Sequence, residues 1–100
     1  MLTEQKLEEL RKKLERGIGT KIKDKRIRAI KVNAGYHWQP PMYIEVGNYY
    51  RNLEKDSPYE QVTAIFESTL FLVCTPDRGI KNDMPYFFAR EDVRQVIEWK

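Results

Sequence analysis

The sequence has little of the chemistry on which disulfides, metal centres and membrane spans depend. It contains one cysteine, Cys74, and one histidine, His37. The single cysteine excludes an internal disulfide and a cysteine-based zinc knuckle, and the single histidine excludes a histidine-rich metal site. No apolar run approaches the roughly 20 residues that a helix needs to cross a bilayer. We therefore expect a protein without metal or other cofactor and without a membrane partner.

The length of the chain predicts a single domain over residues 1–100. Leu, Ile, Val and Phe supply 25 of the 100 residues, which exceeds the roughly 20% below which chains tend to stay disordered. The first residues are charged where a secretion signal is apolar. These features favour a folded cytoplasmic protein with a thin core.

Residues that catalyse reactions are also scarce. A Cys74–His37 nucleophile pair needs a thiol of lowered pKa, but Cys74 lies in a hydrophobic segment typical of a buried, inert thiol. The carboxylates Asp77, Asp83 and Asp92 lie in predicted turns, and the sequence lacks a glycine-rich phosphate loop. We expect no catalytic residues, and a binding module in place of an enzyme.

An amphipathic helix is predicted over residues 4–16. Thr3 is a suitable N-cap residue, and Gly17 is typical of the position that follows a last helical turn. A helix of this length is marginal in water on its own, so its apolar face must dock on the rest of the domain or on a second copy of the chain. That face is formed by Leu7, Leu10 and Leu14.

The remainder of the chain favours strands. Residues 20–45 contain a basic strand, with a bulge near Ala29–Ile30, followed by an aromatic loop, and residues 46–100 form a barrel-like β region. The long apolar stretch 61–75 is divided into a hairpin at Glu67-Ser68, its only polar pair. Residues 90–99 fit either a helix or a short turn followed by a strand. Strands are predicted at 26–33, 42–46, 49–53, 61–66, 69–75 and 84–88.

One part of this pattern resembles a known fold. Val46-Gly47-x-x-Tyr50 leads into a strand, and later come Gly79, the aromatic strand Tyr86-Phe87-Phe88 and the polar turn Arg90-Glu91-Asp92-Val93 before a last strand through Val96. Residues 46–97 thereby resemble the SH3-like small β-barrels. The resemblance implies a small five-stranded barrel. Together with the predicted helix, the chain as a whole predicts an α+β fold in which the N-terminal helix packs on a mostly antiparallel five- to six-stranded sheet that closes into a small SH3-like barrel. Such barrels bind nucleic acids, peptides or modified tails, so the fold does not choose among functions.

Positive charge is concentrated near the N-terminus. Residues 1–41 have a net charge of +6 and residues 42–100 a net charge of −3. Clustered Lys and Arg are typical of phosphate contact, because they release the counterions that condense on nucleic acids. We predict a nucleic-acid-binding or regulatory protein, with Trp38 available to stack on bases. The predicted contacts are Lys12, Lys13, Arg16, Lys21, Lys23, Lys25, Arg26, Arg28, Lys31 and Trp38.

Two alternatives stay open at this point. The same basic residues are also typical of the solvated surface of a charge-rich protein. The leucine face of the helix, formed by Leu7, Leu10 and Leu14, would serve equally in an assembly module that contacts a protein partner or a second copy of the chain.

Overall fold

The computed structural model describes residues 2–33, 41–50, 59–79 and 84–99. It confirms an α+β fold with one helix and antiparallel strands. The helix is α1 (Glu4–Ile18), and the strands are β1 (Ile27–Val32), β2 (Met42–Glu45), β3 (Tyr49–Tyr50), β4 (Glu60–Gln61), β5 (Ala64–Glu67), β6 (Phe71–Cys74), β7 (Tyr86–Phe88) and β8 (Val93–Glu98).

The helix begins where the sequence predicts and ends two residues later. Thr3 is the N-cap, and its hydroxyl accepts a hydrogen bond of 3.2 Å from a backbone N–H of the first turn. Gly17 lies inside the helix, and Gly19 (φ +70°) supplies the left-handed residue that ends it. The prediction of an end at residue 16 was wrong because the longer helix brings Ile18 against the apolar layer beneath it.

The strands form three antiparallel ladders in the orders β2-β1-β8, β3-β4 and β5-β6-β7. Against β8, the register of β1 shifts between Ile27 and Ala29 and again between Lys31 and Val32. The first shift lies next to the bulge that the mixed parity of apolar residues predicts. The mostly antiparallel arrangement is confirmed.

The three ladders adjoin one another at two places in the chain, between β2 and β3 and between β4 and β5. Three backbone hydrogen bonds of 2.8–2.9 Å link them: Val46 N–H to Arg28 O, Gly47 N–H to Val62 O, and Thr63 N–H to Cys74 O. Within the described part of the chain, no ladder joins β7 to β8, and the sheets are not closed into a barrel. In the described part of the chain, the last strand, β8, therefore lies beside the first strand, β1, and β7 lies in a different ladder.

The structure decides how the apolar stretch 61–75 is divided and whether residues 90–99 form a helix or a turn followed by a strand. β5 ends at Glu67 and β6 begins at Phe71, which confirms the division of the apolar stretch. A 3-10 turn at Arg90–Asp92 precedes β8, so the turn-plus-strand alternative is the correct one. β7 lies at the edge of its ladder, as the adjacent Pro85 predicts.

Two apolar layers lie on opposite sides of β5 and β6. On one side, Ile65 and Val73 pack in a core with residues of β1, β2 and β7. On the other side, Phe66 and Leu72 lie in the layer beneath α1, where Leu10 is also buried. Because both faces of these strands are covered, their sequence is a continuous apolar run without alternation. The layer beneath α1 consists of Leu10, Leu14, Ile22, Ala64, Phe66, Leu72 and Cys74.

Candidate functional site

A buried carboxylate at the end of β5 collects three cations. The side chain of Glu67 is only 3% exposed, although it carries a charge. Lys23 Nζ lies 3.0 Å from Glu67 Oε2, and Lys25 Nζ lies 3.5 Å from Oε1. Arg90 contributes a guanidinium nitrogen 3.2 Å from Oε2. We call these four residues the Glu67 cluster.

Three separate segments bring the cluster together. The chain leaving α1 is anchored by the fully buried Ile22, whose N–H donates a 3.0 Å hydrogen bond to the Glu15 carboxylate. One residue later, the N–H of Lys23 donates to the carbonyl of Glu67 over 2.7 Å. The end of β5, which carries Glu67, is the second segment, and the third is the 3-10 turn, which begins with Arg90. The positions of these cations are therefore set by backbone contacts as well as by their own ion pairs.

The Glu67 carboxylate is ionised in the folded protein. Burial by itself raises the pKa of Glu67. The hydrogen bond from Lys23 and the charges of Lys25 and Arg90 together outweigh this effect, so the pKa lies below its ordinary value. A buried charge is costly unless it is paired and hydrogen-bonded. Glu67 meets both conditions, and its role is to hold the cations in place.

The cluster keeps an excess of positive charge. Three cations surround one carboxylate, which leaves a net charge of +2. The side chains of Lys23, Lys25 and Arg90 are 45%, 43% and 53% exposed, so each still presents a face to solvent. Two lysine point charges beside a guanidinium fork are well suited to phosphate oxygens.

Another predicted contact is neutralised on the neighbouring surface. Arg26 forms an ion pair with Glu4 at the start of α1, and this pair raises the pKa of Arg26 and lowers that of Glu4. Arg11 is likewise paired with Glu8 and Glu15 on the same helix. The charges of Arg11 and Arg26 are thus largely compensated by these carboxylates.

The other predicted contacts are not members of the Glu67 cluster. Lys12, Lys13 and Arg16 are exposed on the C-terminal half of α1, and Lys21 is exposed just after it. On β1, Arg28 is half-buried and Lys31 is exposed. Trp38 lies outside the described residues, as do Tyr36 and His37 of the aromatic loop. Within the described ranges, no ion pair is formed by Lys12, Arg16, Lys21, Arg28 or Lys31.

Sequence reasoning missed Arg90 and Glu67 as members of a site. Arg90 is separated from Lys25 by most of the chain, and no local pattern connects them. Glu67 did carry a signal, since it is the only charged residue between Gln61 and Thr75, the most apolar part of the sequence. A lone carboxylate in a buried strand requires a cationic partner.

The leucine face of α1 is largely used within the chain. Leu10 and Leu14 are buried against β5 and β6, and Leu7 is half-buried at the margin of the same layer. Cys74 lies in that layer as a buried free thiol. Burial raises its pKa to about 12, so the thiolate needed for nucleophilic attack does not form at neutral pH.

Further searches for sites and relatives were negative. In the part of the chain that the structure describes, no three His, Cys, Asp or Glu side chains converge where they could hold a metal ion. No helix in that part is long and apolar enough to span a membrane. No family model, no curated protein and no solved structure matches the chain.

Proposed function

We propose that this protein is a cytoplasmic binding module, without enzymatic activity, that contacts the phosphates of nucleic acids through the Glu67 cluster. One observation carries the proposal: the buried Glu67 carboxylate brings Lys23, Lys25 and Arg90 together, these four residues carry a net charge of +2, and the three cations remain partly exposed. Phosphate contacts of this kind fix a protein on nucleic acid without reading its sequence.

The fold proposed for this module is an SH3-like barrel that is open between β7 and β8 in the described part of the chain. It is supported by the strand order, in which β8, β1 and β2 are followed by β3-β4 and β5-β6-β7, and by the 3-10 turn that leads into the last strand. In this arrangement the Glu67 cluster lies where the β5–β6 turn, the 3-10 turn and the chain leaving α1 meet.

Two double variants of equal charge test the proposal. Lys25→Gln with Arg90→Gln removes two cations of the cluster and leaves Lys23 to pair with Glu67. Lys12→Gln with Arg16→Gln removes two cations from α1, and both proteins end with the same net charge. Binding of fluorescently labelled oligonucleotides, single-stranded and duplex, is measured by anisotropy.

We expect the cluster variant to bind at least about tenfold more weakly at ~50 mM salt, because two fewer counterions are released. The α1 variant should stay within about twofold of wild type. Equal weakening in the two variants, or no binding by the wild type at ~50 mM salt, would show that the Glu67 cluster is not a phosphate site.

A further inference from the structure

A half-open cavity adjoins the Glu67 cluster. Its volume is about 360 Å³, and its apolar walls include Leu7 from α1, Phe66 from β5 and Trp99 at the end of β8. This volume falls in the range of sites that take small ligands. Lys25 lines the cavity and also pairs with Glu67, so the cavity opens beside the cationic surface.

The charged groups around the cavity do not favour an anion inside it. Glu4 and Glu8 line the cavity together with the arginines that neutralise them. Asp24 also lines it; this carboxylate forms no direct ion pair with any described residue, and its charge contributes to the raised pKa values of Arg11 and Arg26. A neutral group with N–H donors suits such a cavity, because a carboxylate accepts hydrogen bonds from the amino groups of bases.

Trp99 provides a surface on which a flat ring can stack. Its backbone N–H donates a 2.8 Å hydrogen bond to the carbonyl of Arg26, which holds it against the segment that carries Lys25. The residue remains 41% exposed. Stacking on an aromatic side chain is open to every base, since every base has a π-face.

We infer that the cavity takes one unpaired base of a single-stranded nucleic acid, stacked on Trp99, while a neighbouring phosphate lies on the Glu67 cluster. This inference rests on the proposed function and specifies its substrate. Charge complementarity selects the occupant, because a nucleotide strand offers a neutral ring to the cavity and an anion to Lys25. A duplex keeps its bases stacked and paired, and a base must be flipped out before it can enter.

Three variants test the inference against labelled single-stranded and duplex oligonucleotides of DNA and RNA. Trp99→Ala removes the stacking surface, Trp99→Phe retains an aromatic ring, and Leu7→Trp fills the cavity from the helix side with a larger apolar group. We expect Trp99→Ala to bind single strands about 5- to 100-fold more weakly, as the loss of one base-stacking contact does. Duplex affinity should stay within about twofold. Leu7→Trp should also weaken single-strand binding. Trp99→Phe should keep most of the wild-type affinity for single strands, because it retains an aromatic ring.

The inference is overturned if Trp99→Ala and Leu7→Trp both leave single-strand affinity within about twofold of wild type. It is also overturned if Trp99→Ala weakens single-strand and duplex binding equally. In either case the proposed function stands as long as the wild type binds and the Lys25→Gln with Arg90→Gln variant binds at least about tenfold more weakly. Absence of any wild-type binding is the separate result that removes the proposed function itself.

Discussion

The two groups of cations on this protein differ in how the fold holds them. Around Glu67, Lys23, Lys25 and Arg90 converge on one buried carboxylate. On the C-terminal half of α1, Lys12 and Arg16 extend into solvent without an ion pair to any residue that the structure describes.

This difference matters for binding because ordering a long side chain costs about 0.5–1.5 kcal/mol. At the Glu67 cluster, the side chains are already ordered by their ion pairs with Glu67. On α1, the side chains lose their freedom only when the complex forms. We therefore expect the paired cations of the Glu67 cluster to bind phosphate more tightly than the same number of cations on α1. The following predictions test this contrast, beginning with the largest expected effect.

Removal of the buried carboxylate should destabilise the fold. In Glu67→Ala, three cations remain close together without their common partner, and we expect the free energy of unfolding to fall by about 2–4 kcal/mol. Glu9→Ala on the exposed face of α1 is the matched control and should change it by no more than about 0.5 kcal/mol. Urea denaturation measures both. Equal, small changes would mean that Glu67 does not organise its neighbours.

Acid should weaken the fold through the same residue. The pKa of Glu67 is lowered in the folded protein, so its contribution to stability is present above the unfolded value of about 4.5 and is lost as the pH falls through the folded pKa. We expect the stability of the wild type to fall more steeply below about pH 5 than that of Glu67→Gln. Glu4 and Glu8 also have lowered pKa values, but they contribute to both proteins alike. Parallel pH profiles would contradict the assignment.

The sequence predicts much of the fold and only half of the site. The N-cap at Thr3 and the edge position of β7 follow from local chemistry and are confirmed. The cluster is different, because its members come from three distant segments and only the folded chain shows which acid holds which base. For Lys23 and Lys25, the only signal in the sequence is the local density of positive charge. That density gave equal weight to Arg26, which Glu4 neutralises.

Salt dependence should separate the two groups of cations one residue at a time. Each phosphate contact that is lost lowers the slope of log affinity against log salt by about one. We expect Lys25→Gln to reduce the slope by about one and Lys12→Gln to leave it unchanged. A reduced slope in Lys12→Gln would move the phosphate contact to the helix.

Cys74 should make the smallest difference. Its buried thiol, with a pKa raised to about 12, should react slowly with a thiol reagent in the native protein and quickly after denaturation. Cys74→Ala should bind nucleic acid within about twofold of wild type, because the thiol lies in the apolar layer beneath α1. Rapid labelling of the native protein would contradict the buried, unreactive state of Cys74 and would point to a role for its thiol apart from the two groups of cations.

The most direct test is a titration of isotope-labelled protein with a single-stranded oligonucleotide, followed by NMR at low salt. The account predicts that the largest chemical-shift changes occur at the backbone amides of Lys23, Lys25 and Glu67 and at the side-chain Nε–H of Arg90. The amides of Lys12 and Arg16 should change little. Changes confined to α1, with the Glu67 cluster unaffected, would contradict the account.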